Sequence, residues 1–176
     1  SSLLARYPLG SLNVVDGIER RRAQATHIGV RSVHGCAQDG IAALRQHLQH
    51  DAKGADLVFE ITGSPQALNT AIELSGFSSR IVVGSWYGVK SAPVALGGEA
   101  HRNRLHFVTS QVSSIAPALS GRWDKSRRHD SAWQMIREIN PQQLITHRVP
   151  LEEAASLYAM LDQDSEEVLQ AVFIYD

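Results

Sequence analysis

Read for its apolar and polar positions, the chain alternates short apolar runs with amphipathic ones. Leu12, Asn13, Val14 and Val15 form a brief strand ending on Asp16, and Glu19 to Ala25 reads as a helix of good formers that Gly29 breaks. Val30 to Val33 allows another short strand. Asp39 stands as N-cap before IAALRQHLQH, whose apolar Ile41, Ala42, Ala43, Leu44 and Leu48 fall largely on one face. ADLVFEI, Ala55 to Ile61, is nearly continuous in apolar residues, the pattern of a strand covered on both faces. Thr62-Gly63 then turns the chain, Ser64 caps and Pro65 opens the helix PQALNTAIELS, Gly76 ends it, and RIVVGSW supplies a second buried strand that breaks at Gly84. Strand, helix and strand within about 30 residues make a βαβ unit, which requires a parallel sheet and a right-handed crossover.

Further along, RLHFVTS is another strand and the segment from Ser113 to Arg128, with Pro117 and Gly121, begins as a short turn. DSAWQMIREI reads as a helix capped by Asp130 or Ser131 and closed by Pro141. LITHRVP is a short strand, PLEEAASLYAMLD an amphipathic helix with Pro150 at its start, and VLQAVFIYD a last strand. At the other end, SSLLARY reads as the last turns of a helix stopped by Pro8 and Gly10. The expected fold class is α/β, a Rossmann-like doubly wound parallel sheet.

Composition narrows the function. With 176 residues the chain can bury a real core, and 43% hydrophobic and 20% charged residues are ordinary for a soluble globular protein. A net charge of -1 argues against a general binder of nucleic acid or of membrane surfaces. Cys36 is the only cysteine, so neither an intramolecular disulfide nor a Cys-based zinc cluster can form, which fits a reducing, cytoplasmic setting. No apolar run approaches 18 residues, and the N-terminus lacks the pattern of a signal peptide.

Asp16 is the first candidate for chemistry. A carboxylate at the end of the second strand of a dinucleotide fold accepts the adenosine ribose hydroxyls, but an Asp there also serves as a helix N-cap. The Gly-rich phosphate turn belongs about 20 residues before such an acid. Only fifteen residues precede Asp16 and they hold no G-x-G-x-x-G, so the chain is expected to begin inside a domain. His101, His106, His129 and His147 are scattered without metal-ligand spacing, and neither G-x-S-x-G nor a P-loop occurs. RWDKSRRHD, Arg122 to Asp130, is the most basic stretch, but its two aspartates dilute it and a solvated loop is the better reading. Trp86-Tyr87 either lines a cleft or anchors a loop base.

Four phrases then fit one family in order and spacing: Val14-Val15-Asp16, GADLVFEITGSPQAL, RIVVGSWYG and LITHRVPLEEA. Together they resemble the cofactor-binding half and C-terminal tail of the medium-chain dehydrogenase/reductases of the zinc alcohol dehydrogenase type. The likeness runs over nearly the whole chain and is weak between Gly88 and Arg128. It implies a dinucleotide-binding domain over residues 1–143, lacking its first strand and glycine turn, and a strand-helix-strand segment over 144–176 belonging to the catalytic lobe.

The resemblance further implies an NAD-binding portion of an alcohol or polyol dehydrogenase that moves hydride between nicotinamide and a small alcohol or carbonyl compound. Asp16 would hold the ribose and repel a 2′-phosphate, favouring NAD over NADP, with Arg21 beside it; Arg20 and Arg22 read as a solvated helix face. Thr62, Gly63 and Ser64, then Val83, Gly84 and Ser85, then Thr109 and Ser110 would border the cofactor, at the strand ends where open α/β sheets bind ligands. Zinc and the catalytic residues would belong to the missing lobe. A homo-oligomer through the edge strand RLHFVTS is expected, and the competing reading is a non-catalytic dimerisation or binding module derived from the same fold.

Overall fold

A computed structural model describes residues 1–51, 53–163 and 165–175. Asp176, the last residue of the VLQAVFIYD stretch, lies outside the described residues. The chain is α/β with exclusively parallel strand pairs among the described residues, a Rossmann-like arrangement of strands and flanking helices. It divides into two compact units, Ala37–Pro117 on the one hand and Ser1–Cys36 with Ala118–Asp176 on the other.

The unit Ala37–Pro117 contains the largest sheet. Strands β3 (Ala55–Glu60), β4 (Ser75–Val83) and β5 (His106–Thr109) lie side by side in that order. Helix α2 (Gln38–Asp51) precedes β3, and α3 (Ala67–Leu74) crosses from β3 to β4. The core gathers Ala71, Ile72, Ile81 and Ala100, with Val58, Leu68, Val83, Val94 and Leu105 packed around them. Ile81 is fully buried, and Ala100 ends the segment Leu96–Ala100, which is kinked at Gly98. Ile41, Leu44 and Leu48 of α2 are buried as their spacing predicts, whereas Ala42 and Ala43, expected on the same face, are exposed.

Several local expectations are corrected here. Strand β3 is not covered on both faces: Leu57 and Phe59 are nearly half exposed, and burial falls on Val58 and Glu60. Gly76 does not end α3. That helix stops at Leu74 and runs directly into β4, where Gly76 is buried inside the strand. Ser78, with φ of 59°, then forces a register shift, so that Ala55 pairs with Ser75 but Leu57 with Arg80. Asp39 lies inside the first turn of α2, its carboxylate bonded to the amide of Gly40, while the carbonyl of Ala37 accepts from Ile41.

In the other unit, β1 (Asn13–Val15) pairs with β2 (Ser32–His34) across α1 (Glu19–His27). Helix α4 (Lys125–Ile139) begins five residues earlier than the sequence suggested. Its cap is Asp124, whose carboxylate accepts from the amide of Arg127 at 2.8 Å, and Asn140 in the left-handed region ends it. Arg127 also lies over the Trp123 ring at 4.4 Å. Strands β6 (His147–Pro150) and β7 (Ala171–Ile174) form a parallel pair of their own, joined through α5 (Ala154–Gln163), with Tyr158 against Phe173.

Candidate functional site

The strand register places one group of candidates together. Glu60 of β3 pairs with Val83 of β4, and Val83 with Thr109 of β5, so the three strands end level. Thr62–Ser64, Val83–Ser85 and Thr109–Ser110 therefore occupy a single edge of one sheet. At this carboxyl edge of an open α/β sheet the backbone leaves the ladder and its groups become available to a ligand. Two backbone bonds carry the alignment past the strands: Gly84 N–H donates to Glu60 O at 2.8 Å and Ser110 N–H to Val83 O at 2.8 Å. The Val83 carbonyl is thus engaged inside the sheet.

The turn after β3 is tied to the end of β4. Gly63 N–H donates to Ser85 Oγ at 2.8 Å, and Lys90 Nζ donates to Gly63 O at 3.1 Å. Gly63 has φ of 73°, a conformation that L side chains rarely adopt. Ser64 does not cap α3 with its hydroxyl, which bonds Gln66 instead; its carbonyl accepts from Ala67 N–H at 3.0 Å.

Sequence reasoning missed the centre of this edge. Glu60 is 3% exposed, and its Oε1 accepts from Thr62 N–H at 2.7 Å and from Thr62 Oγ1 at 2.6 Å. The Tyr87 hydroxyl donates to its Oε2. Burial pushes the Glu60 carboxyl up, but hydrogen bonds from the Thr62 hydroxyl, Tyr87, the Thr62 amide and Ser85 together outweigh it and hold the group below the usual carboxylate range. Tyr87 is pushed well above the ordinary phenol value by its own burial and then by the adjacent carboxylate. The one signal was charge within the run ADLVFEI, but the run carries two acids, the exposed Asp56 and the buried Glu60, and the sequence does not tell them apart. Trp86, next to Tyr87, is almost fully exposed.

Asp16 and Arg21 belong to the other unit. Asp16 follows β1, its amide bonded to His34 O at 3.1 Å, and its Oδ1 accepts from Ile18 N–H at 2.9 Å. The carboxylate thus organises the entry to α1, and Oδ2 has no protein partner among the described residues. Arg22 is not a solvated charge. Its guanidinium donates to Asp16 O and Gly17 O, both at 2.8 Å, and clamps the turn. Arg20 pairs with Glu167. Arg21 is half-buried and has no polar partner among the described residues.

A cleft of about 560 Å3 lies at the other end of the sheet, where β3 and β4 begin, lined by Arg45, Lys53, Gly54, Ser75, Arg102 and Asn103 among others. It is remote from the carboxyl edge and shares none of the candidate residues. Among the described residues no group of three His, Cys, Asp or Glu side chains is placed to hold a metal ion, and no helix is long and apolar enough to cross a membrane.

No family model and no curated protein sequence matches this chain. Solved structures do. An alcohol dehydrogenase from Thermotoga maritima superposes with a TM-score of 0.76 at 23% identity, over 94% of this chain and 43% of that one. A putative zinc-binding dehydrogenase from Clostridium scindens gives 0.77 at 16% identity, over 99% and 46%. The chain shares the fold of the portion it matches in these dehydrogenases. A further protein of that fold, an Escherichia coli alcohol dehydrogenase complexed with NADH, gives 0.75 at 17% identity over 98% and 47%. This chain spans less than half the length of these dehydrogenases.

Proposed function

We propose that this chain is the NAD-binding portion of a dehydrogenase acting on an alcohol or polyol and the corresponding carbonyl compound. The observation that carries the reading is the level ending of β3, β4 and β5, which lines Thr62–Ser64, Val83–Ser85 and Thr109–Ser110 along one ligand-facing edge. Bound nicotinamide would accept or give the hydride. The role of these residues is to hold and orient it, through the hydroxyls of Thr109 and Ser110 and the backbone of the three strand ends, while the Thr62 and Ser85 hydroxyls fix the turn that carries Gly63.

Asp16 suits the adenosine ribose, because Oδ2 is left to accept a hydroxyl while Oδ1 fixes the turn. Its charge disfavours a 2′-phosphate, and Arg22 and Arg20 are already occupied by turn carbonyls and by Glu167. Both points support NAD over NADP. Arg21 is the one arginine of the three left to approach the ribose. Zinc does not fit the described residues, and no catalytic step is assigned to a metal or to a side chain of this chain. We assign 1–143 to the dinucleotide-binding domain and 144–176 to the tail of a catalytic lobe; the separate β6–β7 pair supports that boundary. The competing reading, a non-catalytic dimerisation module, has support from β5, whose four residues are all exposed.

Titration of the chain with millimolar NADH, followed by amide NMR shifts, tests the reading. Shifts are expected at Gly63, Ser85, Ser110 and Ile18, with weaker binding of NADPH. Asp16→Ala should lower NADH affinity about tenfold, the loss of a charge-assisted hydrogen bond. Unmoved amides at all four positions would remove the proposal.

A further inference from the structure

We infer that Glu60 is a positioning residue that latches the two loops of the ligand edge to each other. Three observations converge on it. Its carboxylate is buried at the last residue of β3, and it faces no cationic side chain within ion-pair distance among the described residues. It is held instead by neutral donors from both loops: the amide and hydroxyl of Thr62 on one side, the phenol of Tyr87 on the other. Thr62 Oγ1 passes the restraint on by accepting from Ser64 N–H at 3.0 Å, and Glu60 O receives Gly84 N–H.

An ionised carboxylate is an acceptor at every lone pair, so it can satisfy donors arriving from two directions at once. A buried carboxylate without a cation is a costly way to fill a core. An apolar residue would pack this site but would leave the Thr62 amide and the Tyr87 hydroxyl without acceptors, and each loop free to choose its own conformation. The restraint acts on the backbone that presents Gly63 and Ser85 to a ligand, not on the ligand itself. For the identity of that ligand, NAD(H), the inference rests on the proposed function. The latch itself does not depend on it.

The experiment compares the chain with Glu60→Gln, Glu60→Ala and Tyr87→Phe by amide hydrogen exchange, thermal melting and NADH titration. Gln keeps one acceptor oxygen and Ala keeps none. For a latch, exchange at Thr62 and Ser64 should rise at least tenfold in Glu60→Ala and less in Glu60→Gln, while Ile81 in the core and its strand neighbour Val82 keep their protection. Tyr87→Phe should loosen only the second loop, read as a sharpened indole resonance of Trp86. NADH affinity should fall in the same order as the exchange rises. Exchange that rises equally at Thr62 and Ile81, tracking a lowered melt, would make Glu60 an ordinary core residue and overturn the inference, as would unchanged exchange at Thr62. If the unmodified chain shows no NADH shifts, the proposed function fails, and the exchange pattern still decides the latch.

Discussion

Gly54 and Gly76 meet backbone against backbone, so closely that a Cβ on Gly54 would fall 2.4 Å from the Gly76 nitrogen. Gly54 also holds φ of 105°, outside the range that side chains accept. The pair lets the chain enter β3 directly beside the start of β4. Gly54→Ala should therefore cost more than a simple left-handed strain of about 1–3 kcal/mol. Gly63→Ala, at φ of 73° with open space around it, should cost only that strain. Urea unfolding of the two variants checks the order; equal midpoints would show that the crossing yields.

Asp124 caps α4, and Asp130 lies within the helix. Asp124→Ala should lose about 1 kcal/mol, the usual value of a carboxylate cap. Asp130→Ala should stay within about 0.5 kcal/mol of the parent. Denaturant melts followed by circular dichroism separate the two, and a larger loss at Asp130 would contradict the helix start at Lys125.

The ligand edge should carry its own pH dependence. Glu60 titrates lower in the folded chain than in the unfolded one, so its contribution is complete above the unfolded carboxyl value of about 4.3 and is lost as pH falls through the folded value. Tyr87 titrates higher when folded, so its contribution is complete below about pH 10 and fades above it. Lys90, which reaches the Gly63 carbonyl, is a further titratable group bonded to these loops. Glu60→Gln should flatten the acid limb of a melting-temperature profile and Tyr87→Phe the alkaline limb. Profiles parallel to that of the unmodified chain would refute both assignments.

Strand β5 forms the outer edge of its sheet, with Phe107 and Val108 about 40% exposed. An open, partly apolar edge recruits another strand. The chain is expected to self-associate in a concentration-dependent way, and Val108→Lys should shift light-scattering mass toward the monomer. A monomer at all concentrations would leave the edge without a partner.

The parallel sheet, the βαβ unit and the order of elements were legible because they rest on apolar runs and on breakers such as Pro65 and Pro141. The start of α4 was not, because Asp124 lies in a charged stretch whose pattern is equally that of a loop. The start of β4 was hidden by Gly76, which reads as a helix stop and is here a point of close approach. Thr62, Gly63, Val83 and Ser85 could be placed from strand ends alone. Glu60 could not, since nothing in the run ADLVFEI tells which alternate positions face inward, and its role depends on joining Thr62, close in sequence, to Tyr87, which lies more than 20 residues away.

All the strand pairs among the described residues are parallel, and their partners lie nineteen to twenty-six residues apart in sequence, from Asn13 with Ser32 to Arg80 with His106. No hairpin is available to start a sheet locally. During folding each ladder must wait for a long crossover connection to bring its strands within reach, and the entropy of closing that loop is incurred before the first inter-strand bond offsets it. The chain therefore spends the early part of its folding with helices forming and strand edges open. In that interval, rather than in the finished fold, it is most exposed to pairing with the wrong chain.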